Sequence, residues 1–434
     1  MRLTAWAAGL LLAAACAGLI AGCGGSGVPQ HARGTHKLHA GPQTLDIYSS
    51  LPLSGPSAAI GQSIVKGIQL ALDQAGTPVG AFDVRYHSLN DARPGQGAWD
   101  AALTAANARK VATDAAAVAY IGDFDSGATE VSLPVLNEAG IPQISPWSPY
   151  VGLTQTAPGI TAAGEPSRYY PNPTSVRTFL RIAPDDAVQA AAMLEAFRAA
   201  GCTGVAVLRG GGAPGYGREL AGLLNAQHLR YGLNVSIASL GSLRVSLRRY
   251  LLGLRNPPTD CVAYVGAASP AVPPALAAVH AQLPRARIVA SDRLCSAAAQ
   301  QSSLRSELAA DTGDTLQCLL PGTPAGLQAG ASLLSAWRQA YPRHAHPGPW
   351  AVYGYAAMQL ALATIAQLGS QADDRSRLLH ALFLTRARDT VLGDYGFDAA
   401  GNVTLRAFGL YAVRAPGPPV LERVLQPATA GALR

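Results

Sequence analysis

Short apolar runs alternate with amphipathic stretches along most of the chain, and turn residues separate the two. Apolar runs of four to eight residues are typical of buried strands, whereas apolar positions that recur every three to four residues are typical of helices. The first part of the sequence predicts strands at 45–53, 82–89, 118–122 and 142–146, and helices at 58–75, 97–113 and 127–139. This alternation indicates a parallel sheet covered by helices on both faces.

A second set of the same kind begins at the predicted strand 179–183. It continues with strands at 204–208, 234–240, 261–266, 287–291 and 315–320, and with helices at 186–200, 216–231 and 270–282. After Pro321 the pattern turns helical, at 327–340, 350–369 and 374–385, and a β-rich segment closes the chain at 391–425. Two such sets predict two α/β lobes, and the late helices and strands indicate that the chain passes between the lobes more than once.

The composition limits the class of protein. The chain has 434 residues, of which 49% are hydrophobic and 14% charged, so it can fill two cores and differs from a disordered chain. The net charge of +7 falls to +4 when Arg2, Arg33 and Lys37 of the N-terminal region are left out. The sequence contains no basic cluster with interleaved aromatic residues, so nucleic-acid binding is not expected.

Residues 1–23 have the pattern of a lipoprotein signal peptide. Arg2 precedes an apolar stretch that is too short for a stable membrane span. The stretch ends in Ile-Ala-Gly-Cys, which resembles the bacterial lipobox with Cys23 as the acceptor of diacylglycerol; the alternative is an ordinary secretory signal that contains a cysteine. Acyl chains on Cys23 would anchor the protein at the membrane surface. The sequence therefore predicts an extracytoplasmic protein on the cell membrane, with 24–44 as a flexible tether.

Export also decides how the cysteines are interpreted. Four thiols remain in the exported body, and they are Cys202, Cys261, Cys295 and Cys318. An even number of thiols outside the cytoplasm favours disulfides, and the spacing alone leaves three possible pairings. The tether carries His31, His36 and His39, which we interpret as part of a solvated tail and not as a metal site.

The sequence motifs do not favour catalysis. Residues 210–215, Gly-Gly-Gly-Ala-Pro-Gly, fit the glycine pattern of a dinucleotide-binding loop between a strand and a helix. The next predicted strand ends without an acidic residue to hold a ribose, so we interpret this segment as a glycine-rich loop. His344 and His346 lie among prolines with no third ligand nearby, and metalloprotease, serine-hydrolase and Cys-x-x-Cys motifs are missing. The sequence therefore predicts no enzyme, no cofactor and no bound metal.

The carboxyl ends of the predicted strands are the candidates for a binding site, because ligands of open α/β sheets gather there. Strand 118–122 leads through two aspartates to Ser126 at a helix start, where backbone N–H groups and the helix dipole favour an anion. The alternative is that Ser126 only caps its own helix. The same rule selects residues 145–149, Tyr216, Ala267 and residues 291–292.

Nine short motifs occur in order along nearly the whole exported chain. They are Leu-Pro-Leu-Ser-Gly-Pro at 51–56, Gly-Ile-Gln-Leu-Ala at 67–71, Ile-Gly at 121–122 with Ser-Gly at 126–127, Glu-Ala-Gly-Ile-Pro at 138–142, Ile-Ser-Pro at 144–146, Phe-Leu-Arg at 179–181, Pro-Asp-Asp at 184–186, Tyr-Gly at 216–217 and Gly-Phe-Asp at 396–398. Each motif is weak alone, but the ordered set resembles the solute-binding proteins of the branched-chain amino-acid type, which have the type I periplasmic-binding fold.

The resemblance implies an α/β fold with two doubly wound parallel-sheet lobes, joined by hinge strands, that close over a small polar solute. The implied N-terminal lobe comprises 45–180 plus 323–390, the C-terminal lobe comprises 181–322 plus 391–425, and 426–434 form a tail. The resemblance also implies that the protein is a monomer that delivers its solute to an ABC permease with its ATPase.

The resemblance further implies a ligand site built by both lobes. Ser126 matches the serine that binds a ligand carboxylate, Tyr216 matches a ligand-facing tyrosine, and Asp292 matches the acidic residue that holds an α-ammonium group. The implied ligand-binding residues are Ser126, Gly127, Trp147, Ser148, Tyr216 and Asp292. Structural roles are the alternatives. Tyr216 would pack at a helix start, Asp292 would cap the helix after its strand or pair with neighbours of Arg293, and Trp147 would pack between the lobes.

Four positions depart from the family pattern: Pro149 stands for a threonine, Trp147 for a small residue, Ile60 for an aromatic residue and Ala267 for a tyrosine. Asp123 and Asp125 flank the implied carboxylate site, where like charge disfavours an anion. A free amino acid is the leading ligand, and an amide, a peptide-like compound or a cationic solute are the alternatives.

The strand order of this fold also predicts the disulfides. The strands that begin at 204 and 261 are neighbours in that order, and so are the strands near 295 and 318, which gives Cys202–Cys261 and Cys295–Cys318. We interpret the chain as a lipid-anchored solute-binding protein without catalytic activity. The alternatives are a ligand-sensing receptor module of the same fold without transport, and an exported hydrolase.

Overall fold

The computed structural model describes residues 43–95, 98–174, 176–210, 215–240, 259–322, 324–343, 347–415 and 417–428. The predictions for the signal peptide, for Cys23 and for almost all of the tether lie outside the described residues. The same holds for His344 and His346, for residues 211–214 of the glycine-rich loop, and for residues 429–434 of the predicted tail.

The described chain contains fourteen strands. They are β1 (Gln43–Leu51), β2 (Phe82–Asn90), β3 (Ala117–Gly122), β4 (Gln143–Ser145), β5 (Phe179–Arg181), β6 (Gly204–Arg209), β7 (Asn234–Ser239), β8 (Cys261–Val265), β9 (Arg287–Ala290), β10 (Leu316–Pro321), β11 (Arg386–Thr390), β12 (Gly393–Gly396), β13 (Phe408–Ala412) and β14 (Val420–Leu425). The α-helices of the described residues are α1 (Ala58–Ala75), α2 (Ala101–Thr113), α3 (Ser126–Glu138), α4 (Asp186–Ala199), α5 (Tyr216–Gln227), α6 (Val272–Gln282), α7 (Asp292–Gln300), α8 (Ser302–Thr312), α9 (Pro324–Ala340), α10 (Pro349–Leu368) and α11 (Arg375–Phe383).

The first sheet is parallel and has the spatial order β2-β1-β3-β4-β5. Every residue of its central strand β3 is buried, because helices cover both faces. Helices α1, α9, α10 and α11 share a core with one face, and α2 and α3 share a core with the other. This sheet corresponds to the first predicted α/β set.

The second sheet has the order β14-β13-β10-β9-β8-β6-β7. Its five strands from β10 to β7 are parallel, and β13 and β14 extend the β10 edge in antiparallel pairing. Helices α4 and α5 share a core with one face, and α6, α7 and α8 share a core with the other. The predicted α/β class with two doubly wound parallel sheets is therefore confirmed.

The predicted limits of the two lobes stay a prediction. The chain leaves the first sheet after β5. After β10 it returns to the first core, where α9, α10 and α11 pack against that sheet, and it crosses to the second sheet again before β13. Tyr395, Phe397 and Val403 still pack in the core beside the first sheet. At β5 the backbone N–H of Arg181 donates to the carbonyl of Gly401 over 3.0 Å, so two of the crossing segments touch.

The sequence pattern misses the two helices α7 and α8. In α8 only Leu308 and Thr312 are buried, so the apolar stripe is too short for the pattern to reveal a helix. The pattern also starts α2 too early, at residue 97. The helix begins at Ala101 because the Asp100 carboxylate accepts a hydrogen bond from the backbone N–H of Leu103 over 2.8 Å and caps the N-terminus.

Helix α10 lies in the core of the first set. In the described part of the chain, the segment Trp350–Gln371 is the one helix that is long and apolar enough to span a membrane, and 67% of its apolar window is buried inside the fold, as expected of a core helix. α10 crosses α1 at Gly67, where a Cβ would lie 2.0 Å from the carbonyl oxygen of Ala351. This crossing therefore needs glycine at position 67.

The variant Gly67→Ala is expected to lower the free energy of unfolding by about 1–3 kcal/mol, because the two helices would have to separate. Chemical denaturation measures the effect. The matched control is Gln62→Ala, at an exposed position of the same helix. Equal stabilities of the two variants would contradict the close crossing.

Two disulfides lie within the second set. Cys202 is bonded to Cys261 at the start of β8, with the two Cα atoms 6.1 Å apart. Cys295 of α7 is bonded to Cys318 of β10, with the Cα atoms 5.3 Å apart. These are the two pairs named in the sequence analysis; the first joins the loop before β6 to β8, and the second joins α7 to β10.

The double variant Cys295→Ala/Cys318→Ala is expected to lower the free energy of unfolding by about 3 kcal/mol. The bond closes a loop with a sequence separation of 23 residues, and its loss frees that loop in the unfolded state. Urea denaturation without reductant measures the loss. Peptide mapping of the wild type under the same conditions is the control, and free thiols at both positions would contradict the expectation.

Candidate functional site

A cleft of about 940 Å³ lies where loops and helix starts of the two sheets meet. Most strands that lead to it are parallel, so their carboxyl ends lie at the same edge of each sheet. Its lining residues are Trp99, Asp125, Ser126, Gly127, Glu130, Val131, Pro134, Tyr150, Gly159, Ile160, Ala162, Glu165, Arg168, Tyr169, Asp186, Gly215, Tyr216, Arg218, Glu219 and Arg293. Both sheet-and-helix sets therefore contribute to one cavity.

Ser126 and Gly127 bring the first turn of α3 to the cleft. The N-cap of α3 is Asp125 and not Ser126, so the alternative that Ser126 caps this helix is not supported. The Ser126 hydroxyl accepts a hydrogen bond from the backbone N–H of Tyr150 over 3.2 Å. A Cβ at Gly127 would lie 2.6 Å from the ring of Trp99, so glycine lets this ring pack on the helix start.

Trp147 and Ser148 lie outside the lining of the cleft. The Trp147 ring is 2% exposed and packs edge-on against the rings of Trp350 and Tyr353, with centroid distances of 4.1 and 5.5 Å. The Ser148 hydroxyl donates to the carbonyl of Asp123 over 2.9 Å. Both residues stabilise the turn after β4, and direct contact of either with a ligand stays a prediction.

Tyr216 and Asp292 meet, as expected for residues that follow strands of one sheet. The Tyr216 hydroxyl donates a hydrogen bond to one Asp292 carboxylate oxygen and lies 3.1 Å from Oε1 of Gln189. Tyr216 lines the cleft, whereas Asp292 is 1% exposed and lies behind the lining. Burial raises the pKa of the Asp292 carboxyl, and the neighbouring guanidinium of Arg293 and the Tyr216 hydroxyl oppose this shift.

Arg293 links the two sides of the cleft. Its guanidinium lies 3.3 Å from the Asp125 carboxylate and 4.6 Å from the centroid of the Tyr216 ring. The sequence analysis considered this residue only as a neighbour of Asp292. The acidic residue before α3 and the arginine that follows Asp292 were visible in the sequence, but their pairing depends on how the two sheets face each other.

Asp186 and Glu219 are two further cleft residues that the sequence analysis does not select. Asp186 is 1% and Glu219 9% exposed. One Glu219 carboxylate oxygen accepts from the backbone N–H of Val151 over 3.1 Å. Burial raises the pKa of both carboxyls well above the usual range, and negative neighbours, Asp292 for Asp186 and Asp186 for Glu219, raise it further.

A loop carrying Glu165 and Arg168 forms another wall of the cleft. Glu165 accepts hydrogen bonds from the hydroxyls of Tyr150 and Tyr169, over 2.5 and 2.7 Å. The Arg168 guanidinium lies 2.6 Å from Glu165 and 3.2 Å from Glu130. This wall therefore presents aromatic rings, two carboxylates and one guanidinium group to the cavity.

The positions that depart from the family pattern have structural contacts. The Pro149 carbonyl accepts from the backbone N–H of Asp186 over 2.9 Å, and the Ala267 carbonyl accepts from the Tyr264 hydroxyl over 2.7 Å. Ile60 packs at the edge of the first core. Among the described residues, no group of three or more His, Cys, Asp or Glu side chains could hold a metal ion.

A family profile described as periplasmic binding protein matches residues 49–418 of this chain. The match spans both sheets and the cleft between them. Among curated proteins, no sequence matches the chain significantly.

Solved structures share the fold over nearly their full length. A leucine binding protein from Thermotoga maritima is 19% identical with a TM-score of 0.65, and the match covers 88% of this chain and 99% of that one. An ABC transporter solute binding protein from R. palustris, in complex with benzoate, is 19% identical with a TM-score of 0.65, covering 90% and 98%. An ABC transporter substrate-binding protein from Desulfitobacterium hafniense, in complex with Leu, is 17% identical with a TM-score of 0.67, covering 88% and 100%.

Proposed function

The chain belongs to the periplasmic binding protein family, and from this we propose that it is a lipid-anchored receptor that captures a small polar solute and delivers it to an ABC permease. At the coarser level it is an extracytoplasmic solute-binding protein of the ABC-transporter type and not an enzyme, because the family consists of non-enzymatic binding proteins. The anchor at Cys23, the monomeric state and the delivery step belong to the proposal.

The cleft with contributions from both sheets is the observation that carries the proposal. Ser126 and Gly127 line one side and Tyr216 the other, so a solute in the cavity would contact both halves. Closure is then favoured because only the closed form makes both sets of contacts. The proposed halves are the two lobes given in the sequence analysis, joined near β5.

For the ligand we propose an amino acid or a related polar solute. The neighbours from T. maritima and D. hafniense are described with leucine, and the one from R. palustris with benzoate. In this chain, the backbone N–H groups at Ser126 and Gly127 would receive a carboxylate. Asp292 would act through Tyr216, since the tyrosine lies between it and the cavity.

Equilibrium dialysis against a mixture of small metabolites, followed by mass spectrometry of the bound fraction, tests solute capture. We expect one unchanged solute per protein chain and a loss of binding in Tyr216→Ala. The control is Tyr231→Phe, outside the cleft. Conversion of the solute to a product would favour the exported hydrolase instead, and loss of signalling without loss of uptake in a deletion strain would favour a sensor.

The anchor has a separate test. We expect a palmitate analogue with a clickable group to label the wild type, and Cys23→Ser to be unlabelled and released into the medium. Labelling of Cys23→Ser at the wild-type level would contradict lipidation at this position. This result would leave solute capture unaffected.

A further inference from the structure

The charged side chains that line the cleft do not cancel. Three of the five lining carboxylates have guanidinium partners: Glu130 and Glu165 pair with Arg168, and Asp125 pairs with Arg293. The two lining carboxylates that remain are those of Asp186 and Glu219. No ion pair of either is found in the described part of the chain.

Of these two carboxylates, that of Asp186 gives the stronger evidence for a ligand. Asp186 is the first residue of α4 and 1% exposed, and neither of its carboxylate oxygens has a hydrogen-bond partner among the described residues. A buried carboxylate without a partner is costly, so its presence in a native structure needs an explanation, and a bound ligand is one. Because Asp186 lines the cavity, a solute can supply the missing partner.

Two guanidinium groups act on the Asp186 carboxyl through space, those of Arg293 and Arg181, and the fold already uses both. Arg293 pairs with Asp125. Arg181 donates to the carbonyls of Ser148 and Tyr150 over 2.9 Å each, and to the side chains of Thr154 and Asn402. Its positive charge acts on Asp186 only through space, while Asp292, immediately behind the lining, adds a further carboxyl. This side of the cleft therefore carries an excess of acidic groups.

Aromatic rings lie close to these acids. Tyr150 and Tyr216 line the same cavity, and the Tyr216 ring already binds one guanidinium, that of Arg293, at 4.6 Å. Ring faces and carboxylates together are the groups that bind organic cations, by cation–π attraction and by charge-assisted hydrogen bonds. A cationic group also compensates negative charge on these acids, which a neutral group or a second anion does not.

We propose that the solute of this cleft carries a cationic amine or guanidine group besides any α-ammonium group, and that Asp186 and Glu219 hold this group. The inference rests on the proposed function of solute capture and narrows its ligand class. A carboxylate on the same solute would face Ser126 on the opposite side of the cleft.

Cation binding is expected to release protons. Burial raises the pKa of both carboxyls and so favours their protonated form while the cleft is empty, whereas a cation stabilises the charged form. The charged groups that act on this pair are Asp185, Asp292, Arg181 and Arg293, and the other charged groups that line the cavity are Asp125, Glu130, Glu165, Arg168 and Arg218. Affinity for a cation should therefore rise with pH.

Isothermal titration calorimetry with single compounds tests the proposal. The probes are putrescine, agmatine, L-lysine and L-arginine as cations, with L-leucine and benzoate as the uncharged-side-chain and anionic comparisons. We expect at least one cation to bind at least 10-fold more tightly than both comparisons. Tighter binding of leucine or benzoate than of every cation would overturn the cationic ligand class but not solute capture. The same conclusion would follow if no cation bound while dialysis still recovered a solute.

Variants of the two acids test whether they bind the cation. Asp186→Asn and Glu219→Gln are each expected to weaken binding of that cation at least 30-fold, while Asp73→Asn and Glu307→Gln, at exposed positions, leave it unchanged. Removing one acid from a repelling pair should preserve or raise the melting temperature of the empty protein, which separates lost binding from misfolding. Wild-type affinity in a folded Glu219→Gln or Asp186→Asn variant would overturn the assignment of that residue.

Discussion

Replacing Arg181 by methionine is expected to lower the free energy of unfolding by about 3–5 kcal/mol. The side chain is fully buried, with 0% exposure. Its guanidinium donates to Oδ1 of Asn402 over 2.9 Å, to the carbonyls of Ser148 and Tyr150, and to the Thr154 hydroxyl. These acceptors come from the turn after β4 and from the 398–402 turn, so the variant leaves several buried oxygens without donors where the chain crosses between the sheets.

Urea denaturation with and without ligand measures this effect. The control is Arg85→Met, at an exposed position of β2. Arg181→Lys should give an intermediate loss, because an ammonium keeps the charge but cannot reach all of these acceptors in a fixed plane. A change below about 1 kcal/mol in Arg181→Met would show that the turn after β4 does not depend on this side chain.

The sheet architecture was predictable because parallel strands buried on both faces read as continuous apolar runs. β3 (Ala-Val-Ala-Tyr-Ile-Gly) is such a run, and so is β8 (Cys-Val-Ala-Tyr-Val) in the second sheet. Helices with a wide apolar stripe, such as α1, were predicted as well. Helix α8 was not, because it buries little and its pattern therefore has no apolar face to detect.

The site was predictable only in part, for a different physical reason. Ser126 and Tyr216 follow strands, and the rule for open α/β sheets places such residues at one edge without further information. Asp186 and Glu219 become distinctive only because they are buried in a cavity without guanidinium partners, and that property depends on the packing of both sets. In the sequence, Asp186 belongs to the Pro-Asp-Asp motif at 184–186, and adjacent aspartates are common at helix starts and do not by themselves indicate a ligand contact.

The free energy of unfolding of this protein is expected to decrease as the pH rises from 5 to 8. Asp91 is fully buried, and neither of its carboxylate oxygens has a hydrogen-bond partner among the described residues. Burial, with the nearby charges of Asp123 and Asp125, raises the pKa of Asp91 from 3.8 to about 9. Burial also raises the pKa of Asp123 to about 7, although Ser132 and Tyr120 donate hydrogen bonds to it.

The direction in which the free energy of unfolding changes with pH follows from proton binding. Between the unfolded value of 3.8 and the folded value of about 9, folded Asp91 keeps a proton that the unfolded chain has lost. Its contribution to stability is therefore complete below about pH 4 and is lost progressively as the pH rises towards 9. Three pH units within this window correspond to about 4 kcal/mol for one such carboxyl. Carboxyls with a lowered pKa, such as Asp100 and Asp260, act in the opposite sense but only below about pH 4.

Denaturation at pH 5, 6.5 and 8 measures this slope in three proteins. Asp91→Asn cannot ionise at this position, so we expect its stability to fall less between pH 5 and 8 than that of the wild type. Asp73→Asn, at an exposed position of α1, should keep the wild-type slope. Equal slopes in the wild type and in Asp91→Asn would contradict the raised pKa of Asp91.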